Sequence, residues 1–564
     1  MENKNVFIAI ALSMSVLLFW SAFVDSPQST DVQNLKTSSS PERNKITNSG
    51  IVPNIDGTIV KKNISRKDSL KETNRVLLEN KKIKGSISLE GATIDDLSFK
   101  NYKVDIESSD IVQFLNPKET KNGYFIESGW ASIGNKIKVP TNKSIWSAIG
   151  NKVLSVNNPV ILEWNNGSNL IFRQKIEIDD NYLFKINQEV KNNSSEQVEL
   201  YPYAQLTRKN IPEDLKGFYI LHEGFIAVLD GELKEDDYDD IAEKKIVREA
   251  DKGWIGITDK YWMTALIPET GEKFKSTFLY QDAYKANFLL NNPKVIAPST
   301  KVNNEIKIFV AAKEVQTIDA YAKKENIEKL DLIIDWGWFY FFTKPLFFAV
   351  DYLFKLTGNF GIAIVLITVM IRLVFFPLAS YSFKSMAKMK ALQPEMARLK
   401  DLHKDDKVKL QQAIMALYKK EQINPASGCL PVLIQIPFFF AIYKMLFISL
   451  EMRHQPFFGW IKDLSASDPT TIFNLFGLLP FTPPSFLIIG VWPILMGLTM
   501  FVQQKLNPAP TDPIQAKIFM FFPIFLTVIL ASFPSGLVVY WTVNNILTIA
   551  QQWFIMKRTT LRTN

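Results

Sequence analysis

Residues 361–378 read GIAIVLITVMIRLVFFPL, an apolar run that holds a single charged residue, Arg372. About 20 apolar residues in a helix cross a hydrocarbon core of roughly 30 Å, so this run predicts a membrane span. An arginine in the middle of a span costs about 2.5–3.5 kcal/mol on insertion scales. We therefore expect a membrane protein in which Arg372 faces water or a protein partner and not lipid.

Apolar segments continue on both sides of this run. Predicted spans lie at residues 359–381, 429–450, 486–503, 518–533 and 537–554, and the fourth of these is short for a span. A further apolar run at residues 6–24 lacks a good small-x-small cleavage site, so an uncleaved anchor is favoured over a signal peptide. The sequence thus predicts a polytopic α-helical membrane core with six transmembrane helices.

One aromatic segment is interpreted differently. Residues 336–354 are rich in Trp, Tyr and Phe, but Lys344, Pro345 and Asp351 interrupt them. Aromatic side chains concentrate at the bilayer interface, so residues 331–356 are predicted to form an amphipathic helix along the membrane surface.

The part of the chain before these spans resembles a soluble protein. Residues 26–80 are rich in Ser, Thr, Asn, Lys and Pro and are predicted to form a flexible tether. Between residues 81 and 330, short alternating segments separated by turn residues predict one large β-sandwich domain. Three of its segments, at 170–178, 183–190 and 198–206, are expected to form an antiparallel meander, and a late strand at 305–313 precedes a helical run.

A basic helical stretch separates the first two core spans. Residues 384–421 contain ten Lys or Arg and five Asp or Glu, with apolar residues at helical spacing. Two helices with a turn at residues 401–406 are predicted, and Lys388, Lys390, Arg398 and Lys400 are candidate docking residues. Positive charge favours the cytoplasm, which places this hairpin, the tail at 557–564 and both termini inside, and the segment at 451–485 outside.

The residue inventory argues against an enzyme. The chain has one cysteine and three histidines, so no metal cluster, and no cofactor, is expected. The predicted spans contain no nucleophile with a base and no paired carboxylates, and no P-loop is present. The net charge of +8 could suggest nucleic acid, but basic cytoplasmic loops are its commoner cause in membrane proteins, and no DNA partner is expected.

Several polar residues could share a cavity with Arg372. Thr368 precedes it by one helical turn, Gln435 lies in the second core span, and Trp541, Asn544 and Asn545 lie in the last span. Polar residues in spans also form hydrogen bonds between helices, so this alternative stays open for Asn544 and Asn545. For Arg372 the alternative is a side chain that reaches the headgroups or packs against helix carbonyls.

Ordered motifs resemble one family, the YidC/Oxa/Alb membrane protein insertases, in the form with a large periplasmic domain. The motifs are RLVFFPL at 372–378, SMAKMKALQP at 385–394, ALYKK at 416–420, NPASGCLP at 424–431 followed by Gln435 and Pro437, and FPSGL at 533–537. The resemblance implies a bacterial inner-membrane protein with a periplasmic β-supersandwich and a five-helix core. In that core a hydrophilic groove containing Arg372, Thr368, Gln435, Trp541, Asn544 and Asn545 would receive a nascent chain.

The implied organisation is an anchor (1–25), a tether (26–80), the β-domain (81–330), the interfacial helix (331–356), the core (357–556) with its hairpin (384–421), and a short basic tail (557–564). The implied partners are nascent membrane proteins, the Sec translocon, ribosomes and membrane lipids. Because the tail is short, any ribosome contact is expected to depend on the hairpin. The alternatives are a solute or anion transporter that uses the intramembrane arginine, and a scaffold whose β-domain binds polysaccharide.

Overall fold

The computed structural model describes residues 63–563 apart from 136, 213–214, 216–220, 404–405, 425–429, 478, 480, 482, 485–487 and 508–512. The predicted anchor at 1–25 and most of the predicted tether lie outside the described residues. Everything described belongs to one compact unit of the chain.

A β-sandwich domain occupies the first part of the described chain. Its strands are β1 (Arg75–Glu79), β2 (Ile83–Ser88), β3 (Thr93–Lys103), β4 (Ile111–Leu115), β5 (Tyr124–Ala131), β6 (Ser147–Ile149), β7 (Val153–Leu154), β8 (Val160–Asn165), β9 (Leu170–Ile178), β10 (Leu183–Asn192), β11 (Val198–Arg208), β12 (Gly224–Leu229), β13 (Glu232–Asp236), β14 (Ile246–Ala250), β15 (Gly253–Thr258), β16 (Trp262–Ile267), β17 (Phe274–Tyr280), β18 (Tyr284–Leu290), β19 (Lys294–Ile296) and β20 (Lys301–Ala312). Helices α1 (Arg66–Glu72), α2 (Tyr238–Glu243) and α3 (Val315–Lys324) accompany them.

The described strands form two sheets. One has eleven strands in the order β14-β17-β18-β11-β5-β3-β2-β1-β7, with β19 added beside β11 and β4 beside β3, and the other has nine in the order β13-β12-β15-β16-β20-β10-β9-β8-β6. Their inner faces pack together: the rings of Phe99 and Trp262, one from each sheet, stack at 4.9 Å between centroids. Phe225 and Phe278, also one from each sheet, meet in a tilted arrangement at 5.0 Å.

The predicted meander is wrong in its third strand. Strands β9 and β10 pair antiparallel as expected, from Phe184 opposite Ile178 to Asn192 opposite Leu170. Strand β11 instead joins the other sheet, between β5 and β18. The reason is that the free edge of β10 is taken by β20, which comes more than 100 residues later and pairs along nine positions.

The predicted tether extends too far towards the C-terminus. Residues 66–72 form α1 and residues 75–79 form β1, which is paired with β2. Arg66 forms an ion pair with Asp96 and Arg75 forms one with Asp95, both on β3. These contacts order a segment whose own composition is polar, so the β-domain begins before residue 81.

A helical region follows the sandwich. Its helices are α4 (Tyr340–Thr357), α5 (Phe360–Val374), α6 (Phe376–Ala391), α7 (Gln393–Leu402), α8 (Lys407–Lys420), α9 (Leu430–Ile448), α10 (Val491–Leu506), α11 (Pro513–Leu530) and α12 (Ser535–Thr563). The hairpin predicted at 384–421 corresponds to the end of α6 followed by α7 and α8, with the turn after Leu402. Short 3-10 helices lie at Ile133–Asn135, Leu330–Ile333, Leu450–Met452 and Leu475–Gly477.

The segment predicted as a span at 359–381 is bent. Helices α5 and α6 meet at Phe375 with a bend of 68°. Pro377, at the start of α6, has no backbone N–H to donate, which suits the first turn of a new helix and not the middle of a continuous one. Within the described part of the chain, no single helix combines the length and apolar content of a span, whereas this bent pair does so jointly.

Helix α4 has two different sides. Thr343, Leu346, Phe347, Val350 and Asp351 are buried against the rest of the protein. Large side chains on the other side are exposed, namely Tyr340, Phe341, Phe348, Tyr352 and Leu356. The helix is therefore amphipathic in its packing, with an apolar surface that the described residues leave uncovered.

Candidate functional site

Arg372 lies in the last turn of α5 and reaches two other helices. Its Nε donates to Asn544 Oδ1 at 2.9 Å, and its Nη2 donates to the same oxygen at 2.6 Å. Nη2 also donates to Gln435 Oε1 at 3.2 Å. Asn544 belongs to α12 and Gln435 to α9, so one guanidinium connects three helices.

The partners of this arginine are neutral. Among the described residues, none of its hydrogen bonds goes to a carboxylate. The proposed packing against helix carbonyls is represented only by a long contact of 3.5 Å to the Asn544 carbonyl. Neutral oxygens satisfy the geometry of the guanidinium but leave its charge uncompensated, which is costly in a membrane unless water or a ligand is near.

An open cavity borders Arg372. The space in it that water can occupy is about 40 Å³, and it is lined by Thr368, Ile371, Arg372, Phe375, Leu378, Ala379, Gln435, Phe438, Tyr540 and Asn544. The walls are aromatic and aliphatic, with the polar groups gathered around the guanidinium. Such a cavity can hold water or a small polar group beside the charge.

Helical spacing explains which residues meet here. Thr368 is four residues before Arg372 and is buried, and its Oγ1 donates to the Ile364 carbonyl at 2.6 Å. On α12, Tyr540 is four residues before Asn544. Residues four apart share one helix face, so Thr368 lines the cavity with Arg372 on α5, and Tyr540 lines it with Asn544 on α12.

Two of the predicted groove residues lie outside the cavity lining. Asn545 Nδ2 donates to Thr499 Oγ1 on α10 at 3.2 Å, which is the hydrogen bond between helices that had been left open as an alternative. The Trp541 ring packs against Phe439 at 4.8 Å between centroids. A helix turns about 100° per residue, so the neighbours of Tyr540 and Asn544 point towards other helices.

The structure adds residues that the sequence interpretation missed. Tyr540 and Phe438 complete the cavity wall, and the four-residue spacing from Asn544 was the signal for Tyr540. Lys444, a second charge within an apolar run, lies on α9 and forms an ion pair with Asp335, with Nζ and Oδ2 2.6 Å apart. Unlike Arg372, this cation has a carboxylate partner.

The four candidate docking residues are divided between two helices. Lys388 and Lys390 lie in the last turn of α6, and Arg398 and Lys400 lie on α7. Lys388, Arg398 and Lys400 are exposed, and Lys390 is half-buried. They form a basic surface that is separate from the Arg372 cavity.

The FPSG motif fixes the N-terminal end of α12. Ser535 N donates to the Ala466 carbonyl at 2.7 Å, and Gly536 N donates to the Leu464 carbonyl at 2.9 Å. Ser535 Oγ donates to the Asp463 carbonyl at 2.9 Å. The first N–H groups of a helix have no partner within it, so the segment at 463–466 caps α12. Ser535 therefore has a structural role here.

The His222 ring is engaged in polar contacts within the sandwich. His222 Nε2 lies 2.8 Å from the Phe225 carbonyl, and its Nδ1 lies 3.3 Å from Asp237. No group of three or more His, Cys, Asp or Glu side chains that could hold a metal ion occurs in the described ranges.

Two family models match the chain. The model described as YidC periplasmic domain matches residues 75–349, and that described as 60Kd inner membrane protein matches residues 352–562. The second match contains Arg372 and all the cavity residues.

Curated relatives match along the whole chain. A membrane protein insertase YidC of Pelagibacter ubique (strain HTCC1062) is 52% identical over 563 residues, which cover 100% of both chains. That of Methylorubrum extorquens (strain PA1) is 44% identical over 595 residues, covering 99% of this chain and 95% of the relative. These relatives are described as insertases and give no support to a transporter.

Solved structures give weaker likenesses. A structure described as an active YidC insertase with the first transmembrane domain resolved is 17% identical, covering 84% of this chain and 91% of that chain with a TM-score of 0.34. A galactose mutarotase related enzyme from Lactobacillus acidophilus is 12% identical and covers 42% of this chain and 98% of that chain, with a TM-score of 0.30.

Proposed function

The chain belongs to the YidC family of membrane protein insertases, and from that premise we propose that the cavity around Arg372 receives the polar part of the protein being inserted. An insertase is not an enzyme, and its substrates are newly made membrane proteins. The observation that carries the proposal is that Arg372 is held by amide oxygens and not by a carboxylate. Its charge is therefore left for the substrate.

The donors and acceptors around the cavity favour one kind of substrate group. An arginine side chain has N–H donors and no acceptor. The side-chain oxygen of Asn544 accepts twice from Arg372 and that of Gln435 accepts once, so the groups that these two amides have left are mainly NH₂ donors. A wall of donors suits acceptors such as carboxylates and backbone carbonyls. We infer that acidic and carbonyl-rich segments bind here.

Insertion at this site needs no nucleotide in the proposed mechanism. A cationic, hydrated cavity within the membrane shortens the distance that a polar tail travels through hydrocarbon, where each unsatisfied polar group costs several kcal/mol. The apolar segment of the substrate then moves sideways into lipid. Burial contributes about 25 cal/mol per Å² of apolar surface and drives this step.

The membrane arrangement belongs to the same proposal. The chain lies in the inner membrane with its β-domain in the periplasm. We infer six spans with both termini in the cytoplasm, and α4 along the outer interface with its exposed aromatic side in the headgroups. The basic surface of α6 and α7 would then dock ribosomes or anionic lipid, and the Sec translocon would be a lateral partner.

A reconstituted insertion assay tests the arginine. Purified Arg372→Ala, Arg372→Lys and wild-type proteins are placed in liposomes, and insertion of a single-span protein with an acidic translocated tail is followed by protease protection. Loss of the cation is expected to lower insertion about tenfold or more. The polar tail of the substrate then crosses the hydrocarbon without a cationic partner, and its desolvation costs several kcal/mol. Lysine keeps the charge but not the fork of donors, so partial activity is expected.

Two controls sharpen this assay. A substrate whose tail carboxylates are replaced by amides should depend less on Arg372. The Asn545→Ala protein should insert normally, because that amide faces α10 and not the cavity. Normal insertion of the acidic-tailed substrate by Arg372→Ala would refute the proposed role of the cavity.

A further inference from the structure

We propose that the segment between α9 and α10 forms a lipid contact of its own, a loop whose apolar side chains enter the acyl chains of the outer leaflet. This 471–481 loop is described at residues 471–477, 479 and 481. The proposal rests on the membrane arrangement proposed above, which places the segment on the periplasmic side. It concerns a part of the chain that does not line the Arg372 cavity.

The helix that follows the loop is short for a membrane span. Helix α10 has 16 residues, which is about 24 Å of helix, whereas a hydrocarbon core is roughly 30 Å thick. The uncharged stretch of sequence is much longer than the helix, because residues 469–504 contain no Asp, Glu, Lys or Arg. Apolar chain is therefore present at the N-terminal end of α10, where it can fill the rest of the outer leaflet.

The loop exposes a large share of apolar side chains. Six of its nine described residues have a large apolar side chain that is 40–55% exposed, namely Ile472, Phe473, Leu475, Phe476, Leu479 and Phe481. Soluble proteins rarely expose contiguous apolar groups of this kind. The continuity of this group with the uncharged chain of α10 favours lipid as the environment that covers it.

The backbone of the loop suits an environment with little water. The N–H groups that donate to acceptors within the loop are those of Phe473, Leu475, Phe476, Leu479 and Phe481. Phe476 N, for example, donates to the Thr471 carbonyl at 2.9 Å. A backbone N–H that water cannot reach needs a partner in the protein. This pairing allows the loop to approach the acyl chains while its remaining carbonyls stay at the level of the head groups.

Two adjacent residues of the loop adopt a backbone conformation that bulky side chains rarely take. The φ angle is 51° at Leu475 and 58° at Phe476. This left-handed region is unfavourable for L-residues, because Cβ comes too close to the following carbonyl oxygen. Burial of both side chains in lipid would offset that cost, since in the protein alone they are 52% and 55% exposed.

A buried carboxylate attaches the loop to the N-terminus of α10. Asp468 Oδ1 accepts from Thr470 N at 3.0 Å and from Trp460 Nε1 at 3.1 Å, and its Oδ2 accepts from Trp492 N at 2.9 Å. The Trp460 ring is 42% exposed although its N–H donor is satisfied, so it suits the interface, where tryptophan concentrates. Asp468 thus holds the loop and Trp460 at the level where α10 begins.

The loop and α4 reach the lipid from different helices. Helix α4 packs on α5 and α9, whereas α10, to which the loop is attached, packs on α11 and α12. The helical region would therefore be held in the outer leaflet at two separate places.

Fluorescence quenching measures the depth of the loop in the full chain. Cys429→Ser removes the single cysteine, and Phe476→Cys is then labelled with bimane in liposomes of phosphatidylethanolamine and phosphatidylglycerol. The quenchers are iodide in the water and nitroxide lipids labelled either near the head group or deep in the acyl chains. The unfolding temperature of each labelled protein shows that it is folded.

Val295 provides a matched control. It lies on β19 in the sandwich and is 51% exposed, close to the value for Phe476. The probe at position 476 should be quenched most by the shallow nitroxide lipid, and at least about threefold less by iodide than a probe at position 295. The probe at position 295 should respond to iodide and to neither nitroxide lipid.

A charge in the loop gives a second test. With the bimane label at Phe473→Cys, the further change Phe476→Asp should move the loop towards water, because a carboxylate is costly among acyl chains. Quenching by the shallow nitroxide lipid should then fall about threefold, and quenching by iodide should rise by a similar factor. Phe476→Leu keeps the side chain apolar and should leave both values unchanged.

Three results would overturn the proposal. The first is iodide quenching at position 476 as strong as at position 295. The second is protection of position 476 from iodide and from both nitroxide lipids, because a protein, such as a second copy of the chain, would then cover the loop. The third is a Phe476→Asp protein whose label at position 473 responds as it does without that change.

A probe at Ile524 on α11, which is 62% exposed, separates this proposal from the membrane arrangement on which it rests. If neither nitroxide lipid quenches the probe at position 524, the arrangement itself fails. If the deep nitroxide lipid quenches it while the probe at position 476 responds only to iodide, only the lipid contact of the 471–481 loop fails.

Discussion

The β-sandwich and the helical region treat a buried arginine in different ways. In the sandwich, Arg208 Nη1 donates to Asp259 Oδ1 at 2.6 Å, and its guanidinium lies 4.8 Å from the centre of the Tyr124 ring. Burial opposes its charge, yet Asp259 together with Tyr238 and Tyr124 outweighs this and raises the pKa of Arg208. Among the residues that the structure describes, Arg372 has amide partners only. The sandwich pairs its arginine with a carboxylate, whereas under the proposed function the helices leave the charge of theirs for a ligand.

The surfaces of the two regions also differ in the kind of side chain that they expose. The sandwich carries many ion pairs, such as Arg248 with Asp236 and Lys294 with Glu269. The helices expose large apolar side chains, including Leu373, Val374, Ile518, Phe521 and Phe525. Lipid is the environment in which such a surface is stable. The contrast predicts that equivalent changes in the two regions affect different properties.

The largest effect is expected at Arg208. Arg208→Ala leaves the buried Asp259 carboxylate without its cation, and breaking a buried pair costs about 3–5 kcal/mol. Thermal unfolding of the purified full chain, followed by protease sensitivity of the β-domain, should show this loss. Insertion per folded molecule should change little. An unchanged unfolding temperature would contradict the structural role of this arginine.

A pH-dependent effect of up to about 3 kcal/mol is expected at Lys313, just after β20. Burial lowers the pKa of Lys313 to about 8, and the carboxylates of Asp259, Asp335 and Glu223 oppose this only in part. The unfolded chain therefore holds the proton more tightly, and stability rises with pH between about 8 and 10.5.

Lys313→Met should remove that rise and stabilise the protein at pH 7. Unfolding temperatures across this pH range check both points. Lys301→Met, an exposed lysine on the same strand, is the control and should leave the pH dependence unchanged. A slope that persists in Lys313→Met would contradict the assignment.

Removal of Arg372 should have a smaller effect on stability. In Arg372→Ala, water in the open cavity can replace the guanidinium beside Asn544 and Gln435, so a cost of about 1 kcal/mol or less is expected. The unfolding temperature in detergent checks this, beside the much larger fall in insertion. Unfolding as severe as that of Arg208→Ala would remove the contrast between the two regions.

The smallest effect is expected at Asn545. Asn545→Ala loses the hydrogen bond to Thr499, and such bonds between membrane helices average about 0.6 kcal/mol. Asn544→Ala should resemble it in stability but reduce insertion, because Asn544 holds Arg372. Equal insertion by the two variants would show that the cavity face of α12 has no special role.

Local patterns predicted much of the fold. The alternation of apolar and polar residues predicted β9 and β10. The length of the apolar runs predicted helices in the region that follows the sandwich. Sheet membership of β11 was missed because it depends on β20, which pairs with β10 from far along the chain. That residues 66–79 have regular structure was missed for the same reason, because the partners of Arg66 and Arg75 are Asp96 and Asp95 on β3.

The site could be predicted in part. A charge in an apolar run identified Arg372, and helical spacing identified Thr368. The sequence could not decide between Asn544 and Asn545, because one residue rotates a side chain by about 100° and only the positions of α5 and α10 settle which one faces Arg372. Lys444 was passed over, and its partner Asp335 is 109 residues earlier.

The seating of α12 on residues 463–466 has a mechanical consequence. Hydrogen bonds hold α12 at Ser535, and its 29 residues extend about 43 Å from that point. If α12 tilts by about 5° at Ser535, its C-terminal end is displaced by roughly 4 Å, whereas Asn544, about 14 Å from Ser535, moves by only roughly 1 Å. A tilt of this size would thus keep Asn544 within reach of Arg372.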